Sequence, residues 1–149
     1  IEAYDMLAYT LLAAGKCEEA LRLAQELERF YMGKYGSRDK KAVKTTALIG
    51  RILWKMGSFK EGFKMMKEAY KRAEGAFGPT DIDTLNYHRE LVMCSYYLGE
   101  GRKAYDTMLQ IYEMCLQQYG EGNTITLKAS QNLLEMAREL EKESEEEEE

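Results

Sequence analysis

The sequence has little proline and histidine, and it has no long apolar run. One proline among 149 residues, with 45% apolar residues, favours a helical protein over a β-sandwich or a disordered chain. No apolar run approaches the length of about eighteen residues that a membrane span requires, and no signal peptide opens the chain. We therefore expect a helical protein that does not cross a membrane.

The single histidine, His88, leaves almost no scope for a Ser–His or Cys–His nucleophile. Cys94 lies six residues further on, roughly 600° around a helix, so the two side chains would face different ways. The sequence also lacks the glycine-rich phosphate-binding motifs and the H-E-x-x-H zinc motif. These absences predict a protein that is not an enzyme and that holds no cofactor or metal.

The three cysteines, Cys17, Cys94 and Cys115, lie in apolar-periodic segments without C-x-x-C spacing. An odd number of cysteines in a chain with no secretory feature favours reduced thiols that pack as small apolar side chains. Reduced thiols in turn predict a cytoplasmic location. The first residue is Ile rather than Met, which indicates a piece of a longer protein.

The net charge of −5 is unevenly distributed along the chain. Residues 139–149 contain eight Glu and one Lys, whereas the rest of the chain has 20 basic and 18 acidic residues. We interpret residues 143–149 as an acidic tail that lacks the apolar residues needed to fold by itself. It is either a solvated segment without a role or a flexible segment that competes weakly with acidic partners for a basic groove. The chain before residue 139 is nearly neutral, which argues against nucleic acid binding despite a small basic cluster at residues 38–44.

A spacing of 42 residues recurs throughout the chain. The stretch FGPTDIDTL at residues 77–85 has counterparts at 35–43 and 119–127, each with an aromatic residue, a glycine and then Asp or Asn. Gly15, Gly57 and Gly99 follow the same spacing. A constant period of this size indicates stacked supersecondary units, each too small to bury its own apolar face.

Each unit is predicted to contain two helices, because apolar residues recur at three- and four-residue spacing on both sides of Gly15. The glycine would end the first helix in a left-handed cap. Asp39, Asp81 and Asn123 are the predicted N-caps, or near-caps, of the helices that follow. The predicted helices lie near residues 1–14, 17–35, 40–56, 60–77, 82–98, 101–119 and 123–142. The seventh is unpaired and is expected to cap the array.

Small residues at positions 20, 62 and 104 should let the two helices of each hairpin approach closely. Gly62 stands where the other copies have Ala, and we expect it to loosen the second hairpin by about 0.5–1 kcal/mol. Residues 59–77 form a basic amphipathic stretch that, by itself, is typical of a membrane-surface or calmodulin-target helix. Its position in the repeat instead predicts a second helix whose Phe and Met residues lie in the core.

The segment LAYTLLAAGKCEEAL at residues 7–21 resembles a tetratricopeptide repeat (TPR), with Leu7, Ala8, Gly15 and Ala20 at key positions. The 42-residue period and the loops FGPTDIDTL and YGEGNTITL resemble the long variant found in kinesin light chains. This resemblance implies an all-α fold, an α-solenoid of three helix hairpins plus a C-terminal capping helix, wound as a right-handed superhelix. It implies one domain over residues 1–142, with repeats at about 1–38, 39–80 and 81–122, a capping helix at 123–142 and the acidic tail at 143–149.

The same resemblance implies a protein-interaction module that binds an extended peptide on the concave face of the solenoid. The groove residues carried over to this sequence are Tyr9, Lys44, Arg51, Trp54, Lys55, Arg89, Met93, Tyr96, Tyr97 and Lys128. Their basic and aromatic character favours a partner with acidic and aromatic side chains. We expect Arg51 and Arg89 to lie on one concave wall.

A second interpretation stays open at this point. The repeats would then form a structural or regulatory segment of a longer TPR array in a multidomain signalling protein, with no ligand of their own. We also expect self-association at the ends of the solenoid, where a terminal repeat leaves an apolar face in water.

Overall fold

The computed structural model describes residues 2–149 and contains seven α-helices and no strand in that range. They are α1 (Glu2–Ala13), α2 (Cys17–Tyr35), α3 (Lys40–Lys55), α4 (Phe59–Phe77), α5 (Ile82–Tyr97), α6 (Gly101–Tyr119) and α7 (Thr124–Glu148). The predicted all-α fold is confirmed, and the bounds of the first six helices agree within one residue. The predicted start at residue 1 lies outside the described residues. Among those residues, no helix is both long and apolar enough to cross a membrane.

The helices form two compact units, α1–α4 up to Gly78 and α5–α7 from Pro79 onward. In the first unit, α2 packs against α1 and α3, and α3 packs against α4 around a core that includes Tyr31 and Ile52. In the second unit, α6 packs against α5 and α7, and α5 also contacts α7, around a core that includes Met108. The grouping of all the helices into a single domain stays a prediction.

The turn inside each hairpin is built on a glycine with positive φ, as predicted. Between α5 and α6, Gly99 has a φ of 104° and its N–H donates to the Tyr96 carbonyl at 3.1 Å. The N–H of Glu100 donates to the Ser95 carbonyl at 3.1 Å. This pair of bonds is a Schellman motif, which satisfies carbonyls that a helix end leaves open. The α1–α2 and α3–α4 turns make the same two bonds.

Valine in place of Gly99 should lower the free energy of unfolding by more than about 1 kcal/mol, because a β-branched side chain is strained at positive φ. Chemical denaturation measures the change. Gly122→Val is a suitable control, since Gly122 is not among the positive-φ glycines and a Cβ there meets nothing within 4 Å. An unchanged midpoint for Gly99→Val would contradict the role given to this turn.

Three helices, α3, α5 and α7, begin at the predicted capping residues. Asp81 Oδ2 accepts hydrogen bonds from the backbone N–H groups of Asp83 at 3.0 Å and Thr84 at 3.3 Å. Asp39 caps α3 through two such bonds, and Asn123 caps α7 through one, from the Ile125 N–H at 3.1 Å. These side chains satisfy N–H groups that the first turn of a helix leaves open, and so they fix where each helix begins.

The crossing of α3 and α4 depends on two facing glycines, Gly50 and Gly62. A Cβ added to Gly62 would lie 2.8 Å from the Gly50 carbonyl oxygen and 2.9 Å from the Trp54 backbone nitrogen. Both distances are too short for a carbon atom, so the two backbones touch only because the side chain is absent. The expectation that Gly62 loosens this hairpin is therefore wrong.

Gly62→Ala should destabilise the protein by about 1–3 kcal/mol, the usual cost of forcing an extra carbon into a packed contact. Gly75→Ala is the matched control on the same helix, because a Cβ at Gly75 meets nothing within 4 Å. It should stabilise the protein by about 0.5–1 kcal/mol through helix propensity. Denaturant midpoints that move in the same direction for both variants would contradict the close crossing.

A polar network joins α2, α3 and α4. Thr46 is fully buried, its hydroxyl oxygen accepts a hydrogen bond from Arg72 Nη1 at 3.1 Å, and its hydroxyl group donates to Glu28 Oε2. Arg72 Nη2 lies 2.6 Å from Glu68 Oε1 on the same helix. The network satisfies polar groups where three helices meet, and it fixes the position of α3.

The last helix differs from the prediction, because α7 continues to Glu148 instead of ending near residue 142. The turn glycines Gly15, Gly57 and Gly99 are 42 residues apart, and the next position at that spacing is Glu141. Without that glycine the chain does not turn, and the Glu residues that follow favour a helix. Residues 143–148 are therefore helical, and the expectation of a flexible tail is wrong.

Candidate functional site

Two lysines of α3 lie over two tyrosines in the first unit. Lys44 Nζ lies 5.5 Å from the centre of the Tyr9 ring, and Lys41 Nζ lies 5.9 Å from the centre of the Tyr31 ring. All four residues line one small pocket, together with Asp5, Thr45 and Leu48. This Tyr9 pocket combines exposed cations and aromatic faces with a buried aliphatic side chain.

Asp5, the acid of the Tyr9 pocket, is held by Tyr31. The Tyr31 hydroxyl donates a hydrogen bond to Asp5 Oδ2. Burial, together with the hydrogen bond to Asp5 and its charge, raises the pKa of Tyr31 well above its ordinary value. Tyr31 therefore stays protonated as a donor, and the Asp5 carboxylate is engaged within the fold, whereas Lys41 and Lys44 are exposed.

Three other predicted groove residues of α3 lie outside the Tyr9 pocket. Lys55 Nζ donates to the Leu12 carbonyl at 3.1 Å, in the last turn of α1. The Leu12 carbonyl also accepts the Gly15 N–H at 3.0 Å, so Lys55 adds a second hydrogen bond there, and its charge interacts favourably with the helix dipole. The ring centre of Trp54 lies 4.7 Å from that of Phe59, edge to face, and Arg51 is half-buried. Lys55 and Trp54 therefore stabilise the fold of the first unit.

In the second unit, Arg89 connects α5 to α7. Its Nη1 donates to Asn132 Oδ1 and its Nη2 donates to Asn86 Oδ1, both at 2.9 Å. Asn86 Nδ2 in turn donates to Glu90 Oε1 at 3.0 Å. The Arg89 side chain is 12% exposed, so it presents only a small part of its guanidinium to a ligand.

The remaining predicted residues differ in what they offer a ligand. Tyr97 is 57% exposed and its hydroxyl donates to Glu135 Oε1 at 3.0 Å, while its ring lies 5.5 Å from that of Tyr96. Burial raises the pKa of both tyrosines, so both are protonated near neutral pH. Lys128 is exposed on α7. Met93, expected in the groove, is 9% exposed and packs in the core of the second unit, so it offers a ligand little surface.

The structure therefore brings together Tyr9 and Lys44 in the first unit. Arg51 belongs to the first unit and Arg89 to the second, and their placement on one concave wall stays a prediction. Tyr31 and Lys41 were not among the predicted residues. Tyr31 lies on α2, the second helix of its repeat, and the predicted groove included only residues of first helices. Lys41 lies about one helical turn before Lys44, and this spacing is the signal that could have indicated it.

A second cleft lies at the end of the second unit, beside the extended part of α7. Its lining residues are Tyr96, Tyr97, Gly99, Gly101, Arg102, Leu140, Glu143, Ser144 and Glu147. The prediction missed this cleft because it ended α7 before residue 143. No group of His, Cys, Asp and Glu side chains in residues 2–149 is arranged to hold a metal ion.

No family model matches the sequence. The structure is similar to that of the nearly identical TPR-like repeats of a candidate kinesin light chain from Podosopora anserina, with a TM-score of 0.79 and 13% sequence identity. A single-substitution variant of those repeats gives the same values. The similarity covers 91% of this chain, which spans 64% of the length of that one.

The chain thus has the TPR-like repeat fold, an all-α solenoid fold. At 13% identity the similarity shows the fold alone.

The thiols should differ in reactivity. Burial, with a contribution from Glu90, raises the pKa of Cys94 to about 12, and burial also raises the pKa of Cys115, whereas Cys17 is half-buried. Because the thiolate is the nucleophile, we expect Cys17 to be alkylated first at about pH 8, with the other two at least about tenfold slower. Mass spectrometry of iodoacetamide-treated protein measures the rates. Denatured protein is the control, and equal rates in the folded protein would contradict the burial of Cys94 and Cys115.

Proposed function

We propose that the chain is a protein-interaction module that binds an extended peptide with acidic and aromatic side chains, and that the Tyr9 pocket is part of its binding groove. The observation that carries this proposal is the position of Lys44 over Tyr9 and of Lys41 over Tyr31 around one pocket. Three thiols outside disulfides support a cytoplasmic setting for this binding.

The chemistry of the Tyr9 pocket fits a carboxylate beside an apolar group. The exposed ammonium groups of Lys41 and Lys44 each have donors for a carboxylate, and the rings beneath them hold these cations in place. The half-buried ring of Tyr9 provides apolar surface for an aromatic side chain, whereas Leu48 and Tyr31, each 2% exposed, add little to that surface. Because an exposed ion pair contributes at most about 1 kcal/mol, the affinity should depend on several such contacts and weaken with salt.

The second unit also exposes residues of the proposed groove. Tyr97 on α5 and Lys128 on α7 are exposed, and they supply a further aromatic ring and a further cation. Arg89 contributes mainly by holding Asn86 and Asn132 in fixed orientations.

Lys44→Glu should weaken the binding of a labelled peptide rich in Asp, Glu and Trp by about tenfold or more, which corresponds to about 1.4 kcal/mol. The reversal removes an attractive charge and places a like charge beside the ligand. Fluorescence anisotropy measures the affinity. Lys103→Glu makes the same charge change at an exposed position of α6, outside the Tyr9 pocket, and should leave binding nearly unchanged. Equal losses in the two variants would reduce the effect to net charge and overturn the assignment to this pocket.

One observation favours the alternative of a segment within a longer array. On α3, Thr46 and Ile49 are 0% and 3% exposed, and α3 packs against α2. The residues in register on α1 are Tyr4 and Leu7, and they are 56% and 44% exposed. A helix placed against α1 as α2 is placed against α3 would cover them. If no peptide of any composition binds the chain, whereas a helical hairpin added before α1 raises the unfolding midpoint, the alternative replaces the peptide-binding proposal.

A further inference from the structure

Four lysines form a stripe along the exposed face of α4. They are Lys60, Lys64, Lys67 and Lys71, at spacings of four, three and four residues, which places them on one side of a helix. All four are exposed, and none makes an ion pair or hydrogen bond within the described part of the chain. The opposite side of α4 carries its buried residues, Gly62, Met66, Ala69 and Ala73. The stripe, called the lysine stripe below, therefore has no role in the core.

Two of the three acids of α4 are engaged by residues outside the lysine stripe, and the third, Glu61, lies in the first turn of the helix. Glu68 pairs with Arg72 at 2.6 Å, and Glu74 accepts a hydrogen bond from the Tyr70 hydroxyl at 2.7 Å. The four ammonium groups therefore face solvent along a line of about 16 Å, at 1.5 Å per residue. A surface of this kind attracts an extended run of negative charge.

The second unit ends in such a run. Residues 139–148 of α7 carry seven glutamates and one lysine, and Lys142 lies 3.6 Å from Glu139. This acidic end of α7 is about 14 Å long at the helical rise, close to the length of the lysine stripe. Glutamates four residues apart on a helix repel one another by about 0.2–0.5 kcal/mol per pair, and a row of cations from outside the helix would relieve that repulsion.

The charge is also divided between the two units. Residues 2–78 carry 15 basic and 10 acidic side chains, whereas residues 79–149 carry 6 basic and 16 acidic side chains. A nucleic acid or an anionic membrane drawn to the lysine stripe would be repelled by the second unit of the same chain. A second copy of the chain, in contrast, offers an acidic helix of matching length.

We propose that the lysine stripe of one copy docks the acidic end of α7 of a second copy. Each contact joins two different surfaces, the lysine stripe of one copy and the acidic end of α7 of the other. A single contact therefore leaves one stripe and one acidic end unoccupied in the pair. Two copies that exchange these contacts reciprocally close a dimer, whereas one-way contacts extend a chain of copies. Because the contact consists of exposed charges, it should be strong at low ionic strength and weak when the Debye length is short.

Sedimentation velocity of the whole chain over a range of concentrations tests the proposal. At about 20 mM salt we expect a mass that rises with concentration, and at about 500 mM salt a monomer. The double variant Lys64→Glu/Lys67→Glu should weaken association at least about tenfold, while Lys16→Glu/Lys103→Glu, with the same charge change at exposed positions elsewhere, should retain it. Circular dichroism checks that the variants remain helical.

A charge exchange makes the test specific. The variant Glu143→Lys/Glu146→Lys should not associate by itself, but it should bind Lys64→Glu/Lys67→Glu when the two are mixed, because the swapped charges again attract. Lys44→Glu should associate like the original chain, which separates this contact from peptide binding at the Tyr9 pocket. A monomer at every concentration and salt, or association that survives reversal of the stripe, would overturn the proposal. So would stripe-dependent binding of duplex DNA without self-association, which would assign the stripe to nucleic acid.

Discussion

Close contact between paired helices at small residues is the constraint on which the rest of the structure depends. Gly50 and Gly62 bring the backbones of α3 and α4 together, and Ala8 and Ala20 are fully buried in the first hairpin. Once two helices are this close, the turn between them must be short, which the Schellman motif at each glycine provides. The same closeness puts long side chains within reach of neighbouring helices, as with Arg72 and Thr46. Loss of one small residue would therefore affect several contacts at once.

The polar side chains divide into those that connect helices and those that remain available to a partner. Arg89 and Lys55 both lie at predicted groove positions, but each donates to an acceptor on another helix of its own unit. Lys44 and Lys41 instead lie over aromatic rings, which hold a cation without using all of its donors. Residue type alone therefore does not show which polar side chains are engaged within the fold; the neighbouring acceptors do.

Features set by local chemistry could be predicted from the sequence, and features set by contacts between helices could not. The capping role of Asp81 and the turn at Gly99 follow from nearby residues and the repeat, and both are found. The effect of Gly62 depends on the backbone across the hairpin, and the burial of Met93 depends on α6 and α7. Tyr31 joins the Tyr9 pocket because α2 packs beside α1, a contact that no periodic pattern assigns to a ligand site.

Residue 141 is Glu where the repeats have a turn glycine, and this difference determines the direction in which the end of α7 extends. Where α1, α3 and α5 end in a turn that reverses the chain, α7 continues as a helix past Met136, the last fully buried residue of its helix. Over the residues from Met136 to Glu148, a helix advances about 18 Å in one direction, whereas a coil of that length would reach a similar distance in any direction. The orientation of the far end of α7 is thus set by the packing of α7 against α5 and α6. A tilt of about 5° at those contacts would displace Glu148 sideways by about 1.5 Å, given the helical rise.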